Sequence, residues 1–235
     1  MGGAIKAIAI YTIGDSEMQP HWRAYAERFV QLKGGGVAFG AKTQAEVAAR
    51  LNKLQNTDVA NVYFIGHGYA GGTHPRNPRL FRLPTFMLSG VHNGGTFANN
   101  SDPAKNFTPE PGPLIEALAP HLSRDYAVSV YFLSCHTGTD NVMQEGMVKL
   151  VRRYAPGVAI TVYGYKQYYG VEKNMAPRAH VRESKKDPPP DPSTFVAPDK
   201  VPEGYSYASY GDRFKGEDPL QEIDENRTDD PLFGL

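Results

Sequence analysis

Apolar residues along this chain follow two alternating rhythms: short, largely apolar runs, and stretches where they recur every three or four positions. Unbroken β-branched runs read as buried strands, and the three-to-four spacing reads as one face of a helix. The run from Ala4 to Ile13 predicts a strand that stops at Gly14-Asp15. Met18, Trp22, Tyr25, Phe29 and Leu32 then predict an amphipathic helix, stopped by Gly34-Gly35-Gly36. Val37 to Phe39 predicts a short strand. Thr43 and Glu46 form a capping box before a helix whose inner face is Val47, Leu51 and Leu54. Val59 to Ile65 predicts a strand ending in Gly66-His67-Gly68.

Residues 69–111 are rich in Gly, Asn and Pro, with one hairpin predicted around Leu80 to Leu88. Pro113 to Leu122 predicts a helix with proline in its first turn. Val128 to Leu133 predicts a strand running into Ser134-Cys135-His136-Thr137-Gly138. Asp140 is placed to cap a helix with Met143, Met147, Leu150 and Tyr154 on one face. Val158 to Tyr163 predicts one more strand. Strands alternating with helices imply an α/β fold of three layers, a mostly parallel central sheet with helices on both faces.

Charge divides the chain. Residues 1–181 carry 18 Lys+Arg against 12 Asp+Glu, whereas 182–235 carry 7 against 13 and hold eight of the 19 prolines. Residues 1–181 therefore read as the folded body, and 182–235 as a Pro-rich acidic tail, either a solvated linker or docked on a basic face. Phe195, Tyr205, Tyr207, Tyr210, Phe214 and Phe233 favour docking, since a pure spacer has little use for aromatic rings. Over the whole chain 25 cationic and 25 anionic residues cancel, which removes the global argument for a nucleic-acid or membrane-surface partner. No run is apolar enough to span a bilayer. The start shows no secretory pattern, so the expected setting is a reducing cytoplasm, or export without a cleavable N-terminal signal.

The single cysteine, Cys135, excludes an internal disulfide framework and a multi-cysteine zinc site. His74 and His92 are irregularly spaced with no adjacent carboxylates, so neither a metal nor another cofactor is expected. Gly34-Gly35-Gly36 follows a helix and lacks a Lys-Ser/Thr ending, so it is not a phosphate loop. Chemistry in parallel sheets sits beyond the carboxyl ends of the strands. Two predicted strands end in reactive side chains, His67 and Cys135. A thiolate is a good nucleophile and an imidazole titrates where it can manage the proton, so adjacent strand ends would make an acyl-transfer pair. The N–H groups of Gly68 and Cys135 would face a developing oxyanion. His136 is a rival base, but neighbouring side chains on a strand point to opposite faces, and it reads as a loop-ordering residue.

The strand ending Tyr63-Phe64-Ile65-Gly66-His67-Gly68, followed about 70 residues later by Tyr131-Phe132-Leu133-Ser134-Cys135-His136-Thr137-Gly138, resembles the caspase-like (clan CD) cysteine peptidases. The Ser-Cys-His-Thr-Gly run is most similar to metacaspases, and the Ile-Gly-His-Gly run to self-processing domains of bacterial toxins. The resemblance covers roughly residues 4–165. It implies a caspase-like peptidase domain, a protein or peptide substrate, Cys135 as nucleophile, His67 as general acid/base, and Gly68 and Cys135 N–H groups as oxyanion hole. Leu133 stands where metacaspases carry a specificity Asp and caspases a Gln, so neither Arg/Lys nor Asp specificity carries over, and Leu133 permits an apolar P1 residue. Such enzymes are commonly restrained until activated by cleavage, a partner or a ligand, which makes the tail a candidate inhibitory contact.

Asp15, at the same rim, reads either as a helix cap or as a specificity or orienting carboxylate. Tyr163, Tyr165, Lys166, Gln167, Tyr168 and Tyr169 read either as substrate-pocket lining or as a half-buried sheet edge, with Tyr165 and Lys166 the substrate-binding candidates. Two other functions remain open: a non-catalytic binding scaffold with Cys135 incidental, and a Cys-dependent acyl transferase or hydrolase acting on a non-peptide substrate.

Overall fold

The computed structural model describes residues 5–16, 18–69, 72–74, 77–82, 85–88, 106–107, 113–138, 141–166, 169–171, 177–179 and 205–210. In chain order these form β1 (Ile5–Thr12), α1 (Gln19–Leu32), β2 (Gly36–Ala41), α2 (Gln44–Leu51), β3 (Thr57–Ile65), β4 (His67–Tyr69), β5 (Gly72–His74), β6 (Asn77–Arg82), β7 (Thr85–Met87) and β8 (Asn106–Phe107). Then come α3 (Pro113–Leu118), a 3-10 turn (Ala119–His121), β9 (Val128–Leu133), α4 (Val142–Tyr154), β10 (Ile160–Tyr165), β11 (Tyr169–Val171), β12 (Pro177–Ala179) and β13 (Tyr205–Tyr210). Asp140, His92, Gln167, Tyr168, Phe195, Phe214 and Phe233 lie outside the described residues.

The central sheet has the order β13-β10-β9-β3-β1-β2. β10, β9, β3, β1 and β2 pair in parallel, and β13 closes one edge antiparallel to β10. The fold is a three-layer α/β architecture with a mostly parallel sheet. Every residue of β9 and β10 is buried, which is why these strands are largely apolar instead of alternating, with Ser129 and Thr161 buried among the apolar residues. Alternate residues feed two cores. Ile8, Ile10, Val62, Phe64, Val130, Phe132 and Val162 pack with residues of α2, α3 and α4. Ala7, Ala9, Tyr63, Ile65, Tyr131, Leu133, Tyr163 and Tyr165 share the other core with Trp22, Tyr25, Ala26, Phe29 and Val30 of α1.

On the α1 face a row of rings crosses the sheet. Phe29 stacks on Tyr63 at 4.6 Å between centroids, Tyr63 on Tyr131 at 4.9 Å, and Tyr131 on Tyr163 at 5.0 Å. Tyr207 extends the row at 6.3 Å with its ring tilted. The register is in step, Tyr63 opposite Tyr131, Tyr131 opposite Tyr163 and Tyr163 opposite Tyr207. Facing aromatic residues at cross-strand positions fix a register that a one-residue slip would destroy.

Several expectations change in detail. Leu32 is 55% exposed, because the buried stripe of α1 runs Trp22, Tyr25, Ala26, Phe29, Val30 and passes it by. The stretch 80–88 is not a hairpin: β6 pairs with β5, while β7 pairs with β4 and β8. The predicted helix to Leu122 divides into α3 and the 3-10 turn at Pro120, which lacks the amide an α-helix would use. The strand predicted from Val158 begins at Ile160. Helix α4 is headed by Asn141, in the left-handed conformation at φ 60°. The capping box at α2 is displaced by one residue: Thr43 Oγ1 accepts from the Glu46 amide at 3.1 Å, but the Glu46 carboxylate accepts from Lys42 N. The sheet of the body includes six residues from beyond position 181, those of β13. Among the described residues no helix is long and apolar enough to cross a membrane.

Candidate active site

Strands β3 and β9 are adjacent and parallel, with Ile65 opposite Leu133 at their carboxyl ends. His67 and Cys135 each lie two residues beyond that last pair, and the Gly68 backbone touches that of Cys135 there. The Gly66 N–H still points at the Leu133 carbonyl, 3.5 Å away, so the two chains run together past the last paired residues. His67 then opens β4, where it faces Met87 of β7. The fully buried Thr12 hydroxyl donates to the Met87 carbonyl, which ties this small sheet to the end of β1.

Glycine is required at both positions that flank His67. A Cβ on Gly66 would lie 2.8 Å from Thr12 Cβ, and one on Gly68 would lie 2.2 Å from the Cys135 carbonyl oxygen and 3.0 Å from its nitrogen. The Gly68 and Cys135 backbones are thus packed with no room for a side chain between them.

His67 has carbon and oxygen neighbours on two sides. The Trp22 ring meets the imidazole edge-on, at 4.9 Å and 88°. Asp15 Oδ2 lies 3.1 Å from His67 Nε2, and both side chains are about one-quarter exposed. The other carboxylate oxygen accepts from the Met18 amide at 3.0 Å, ahead of α1. Asp15 therefore touches both the Met18 amide, at the N-cap of α1, and the His67 ring. Gly14 turns the chain between β1 and Asp15 at φ 135°, a backbone setting natural to glycine.

Cys135 is partly buried and packs against the α1-face core. It lies in a turn, not on β9, so strand alternation does not govern its neighbour. His136 instead has a left-handed backbone, φ 57°, and its Nδ1 lies 3.2 Å from the Lys166 carbonyl. That contact fits a loop-ordering role. Below the turn, Ser134 Oγ donates to Thr137 Oγ1, and Thr137 Oγ1 donates back to the Ser134 carbonyl at 3.1 Å. Burial holds the Tyr165 phenol above its usual pKa, and the charge of nearby Cys135 pushes it the same way.

Leu133 is 1% exposed and Tyr165 is 3% exposed, both in the α1-face core. They support the rim from beneath. Lys166 is exposed, at the end of β10, and its backbone carbonyl receives the His136 contact.

Sequence reasoning missed the residues that hold the Cys135 turn from the far edge. Asn141 Nδ2 donates to the Tyr207 carbonyl at 3.0 Å, and Ser206 Oγ donates to the Gly138 carbonyl at 2.6 Å. The fully buried Gln144 amide is hydrogen-bonded to Ser206 Oγ at 2.7 Å. These partners are 62–68 residues apart in the chain, beyond the reach of any local motif. Two open clefts lie away from this rim. One of about 620 Å³ sits by the amino ends of β3 and β9, between Asn61, Ser129, Lys33 and Arg124. One of about 540 Å³ lies beside β2, at Val37, Phe39, Arg50 and Leu54.

No family model matches this chain, and no curated protein matches it. Three chains of solved structures match, among them protein GSU0716 from Geobacter sulfurreducens. It is 16% identical over 70% of this chain and 75% of that one, with a TM-score of 0.36, a likeness too slight to carry an assignment of chemistry.

Proposed function

We propose that this chain is a cysteine endopeptidase of the caspase-like kind, with Cys135 as nucleophile and His67 as general acid/base. The observation that carries this reading is the register of β3 and β9, whose carboxyl ends deliver His67 and Cys135 to one rim with Gly68 pressed on the Cys135 backbone.

In the proposed reaction the imidazole of His67 takes the thiol proton, and Cys135 Sγ forms a bond to the scissile carbonyl carbon. The electron pair displaced onto oxygen is met by the N–H groups of Gly68 and Cys135. Collapse breaks the C–N bond, the imidazolium returns its proton to the departing amine, and a thioester remains. Water, deprotonated by His67, then attacks the thioester and regenerates the thiol. The substrate class is a protein or peptide. Leu133 and Tyr165 lie in the core, so the apolar P1 that Leu133 permits has no support from exposure.

The test is the profile of peptides released from a proteome-derived library by wild type and by Cys135→Ala, read by mass spectrometry. Cleavage by wild type and none by the variant is expected, with both proteins equally folded by circular dichroism. Equal cleavage by both sinks the reading. Labelling at Cys135 by iodoacetamide at mildly acidic pH, with no peptide product but turnover of small thioesters, would transfer the pair to a non-peptide acyl substrate.

A further inference from the structure

We infer that Asp15 is a positioning residue that fixes which nitrogen of His67 is the base. The inference rests on the peptidase reading of Cys135 and His67, and concerns the hydrogen bond 3.1 Å long between Asp15 Oδ2 and His67 Nε2.

An ionised carboxylate only accepts, so the hydrogen of this bond belongs to the imidazole. In the neutral ring the proton therefore sits on Nε2, and Nδ1 carries the lone pair. Nδ1 is then the atom that receives the Cys135 proton, and the imidazolium so formed is balanced by the carboxylate at its opposite nitrogen. When Nδ1 hands its proton to the leaving amine, the ring returns to the same tautomer. Nothing else is consumed in the cycle.

Two features make the arrangement directional. The second Asp15 oxygen is committed to the Met18 amide at 3.0 Å, and the Asp15 carbonyl accepts from the Gln19 amide at 2.9 Å, so the carboxylate is anchored to the start of α1. Trp22, one turn into the same helix, sets its ring edge-on against the imidazole at 4.9 Å. One short segment of chain thus fixes both the plane of His67 and its hydrogen-bonding edge.

The same geometry says why asparagine cannot substitute. Both oxygens of Asp15 accept, one from Met18 N–H and one from His67 Nε2–H. An amide has a single oxygen. If that oxygen keeps the Met18 bond, the amide NH₂ faces Nε2, and Nε2 must become an acceptor. The proton moves to Nδ1, and the base is lost although no atom has been removed. Serine at position 15 behaves differently, since its hydroxyl caps Met18 and does not reach the ring, which leaves the two tautomers to mix.

The experiment is nitrogen-15 NMR of histidine-labelled full-length protein at about pH 8. The His67 signals are assigned by their loss in His67→Gln. Wild type is expected to carry the proton on Nε2, Asp15→Asn on Nδ1, and Asp15→Ser a mixture, with melting temperatures of Asp15→Ser and wild type alike. Peptide turnover of Asp15→Asn is expected to fall by on the order of 10²–10⁴-fold, the usual contribution of a general base. A wild-type ring protonated on Nδ1, or an Asp15→Asn ring unchanged from wild type, overturns the inference and leaves the peptidase reading standing. A switched tautomer in a protein whose wild type neither cleaves peptides nor labels at Cys135 confirms Asp15 as the ring's anchor and removes the peptidase reading instead.

Discussion

Gly68 and Cys135 meet backbone to backbone: a methyl group on Gly68 would lie 2.2 Å from the Cys135 carbonyl oxygen. No flexible side chain is available to yield, so the chain itself must shift. Gly68→Ala is expected to lower stability by about 1–3 kcal/mol, as overpacking of a dense interior does. It is expected to cost turnover on the order of 10²-fold, because it separates the His67 and Cys135 segments. Urea denaturation and initial rates check the two effects. Full activity at reduced stability would mean the close approach serves packing alone.

The candidate pair was readable because both reactive residues end apolar runs, and parallel strands buried on both faces make such runs conspicuous. Val128–Leu133 coincides with β9 for that reason. The Thr43 cap was equally plain, being a local side-chain-to-backbone bond. What escaped notice was set by distant pairing. The partners of Asn141 and Gly138 lie in β13, inside a stretch whose prolines and acidic residues resemble a linker. The Asp15–His67 bond spans 52 positions, and the sequence offered Asp15 at that rim as a cap or an orienting carboxylate without naming His67 as its partner. Trp22 read as ordinary helix core, yet its ring edge also borders His67.

Strand β13 holds the turn that carries Cys135, so the C-terminal region is expected to sustain activity through residue 210. Ending the chain after Tyr210 keeps β13, its register with β10, and the Ser206 and Asn141 bonds. Ending it after Gly204 removes them, bares the β10 edge, and is expected to cause aggregation. Ser206→Ala deletes the hydroxyl between Gly138 and Gln144 and is expected to cost about 1–3 kcal/mol, the penalty for polar groups left unpaired. Light scattering, denaturation and turnover of the three variants separate these contributions. Higher activity after truncation at 204 would instead make the segment an inhibitor.

Tyr131 is the centre of the stacked row, between Tyr63 and Tyr163, and is 2% exposed. Tyr131→Ala is expected to destabilise the fold by about 3–5 kcal/mol, the range for deleting a large buried ring. Tyr131→Leu restores much of the buried area but not the stacking, whose own share is about 0.5–1.5 kcal/mol per pair. It should therefore fall between wild type and alanine in urea midpoint. Leucine matching wild type would show that area, and not ring geometry, holds the three strands in step.

His121 gives the fold a predictable response to acid. Its Nδ1 lies 2.9 Å from Thr57 Oγ1, and burial holds the ring's pKa below its ordinary value of 6.5, with a hydrogen bond to the Leu51 backbone opposing the shift in part. A group easier to protonate in the unfolded chain makes that chain bind more protons as pH falls. The contribution of neutral His121 is thus fully present above pH 6.5 and is lost as pH falls from there toward the depressed folded value. Replacing the ring with glutamine removes this titration while keeping a polar side chain. Wild type should lose urea midpoint relative to His121→Gln as the buffer is taken below pH 6.5, with the difference constant above it. A wild-type advantage that grows on acidification would reverse the sign and mean that the folded protein favours the charged ring, through a carboxylate partner and not through burial.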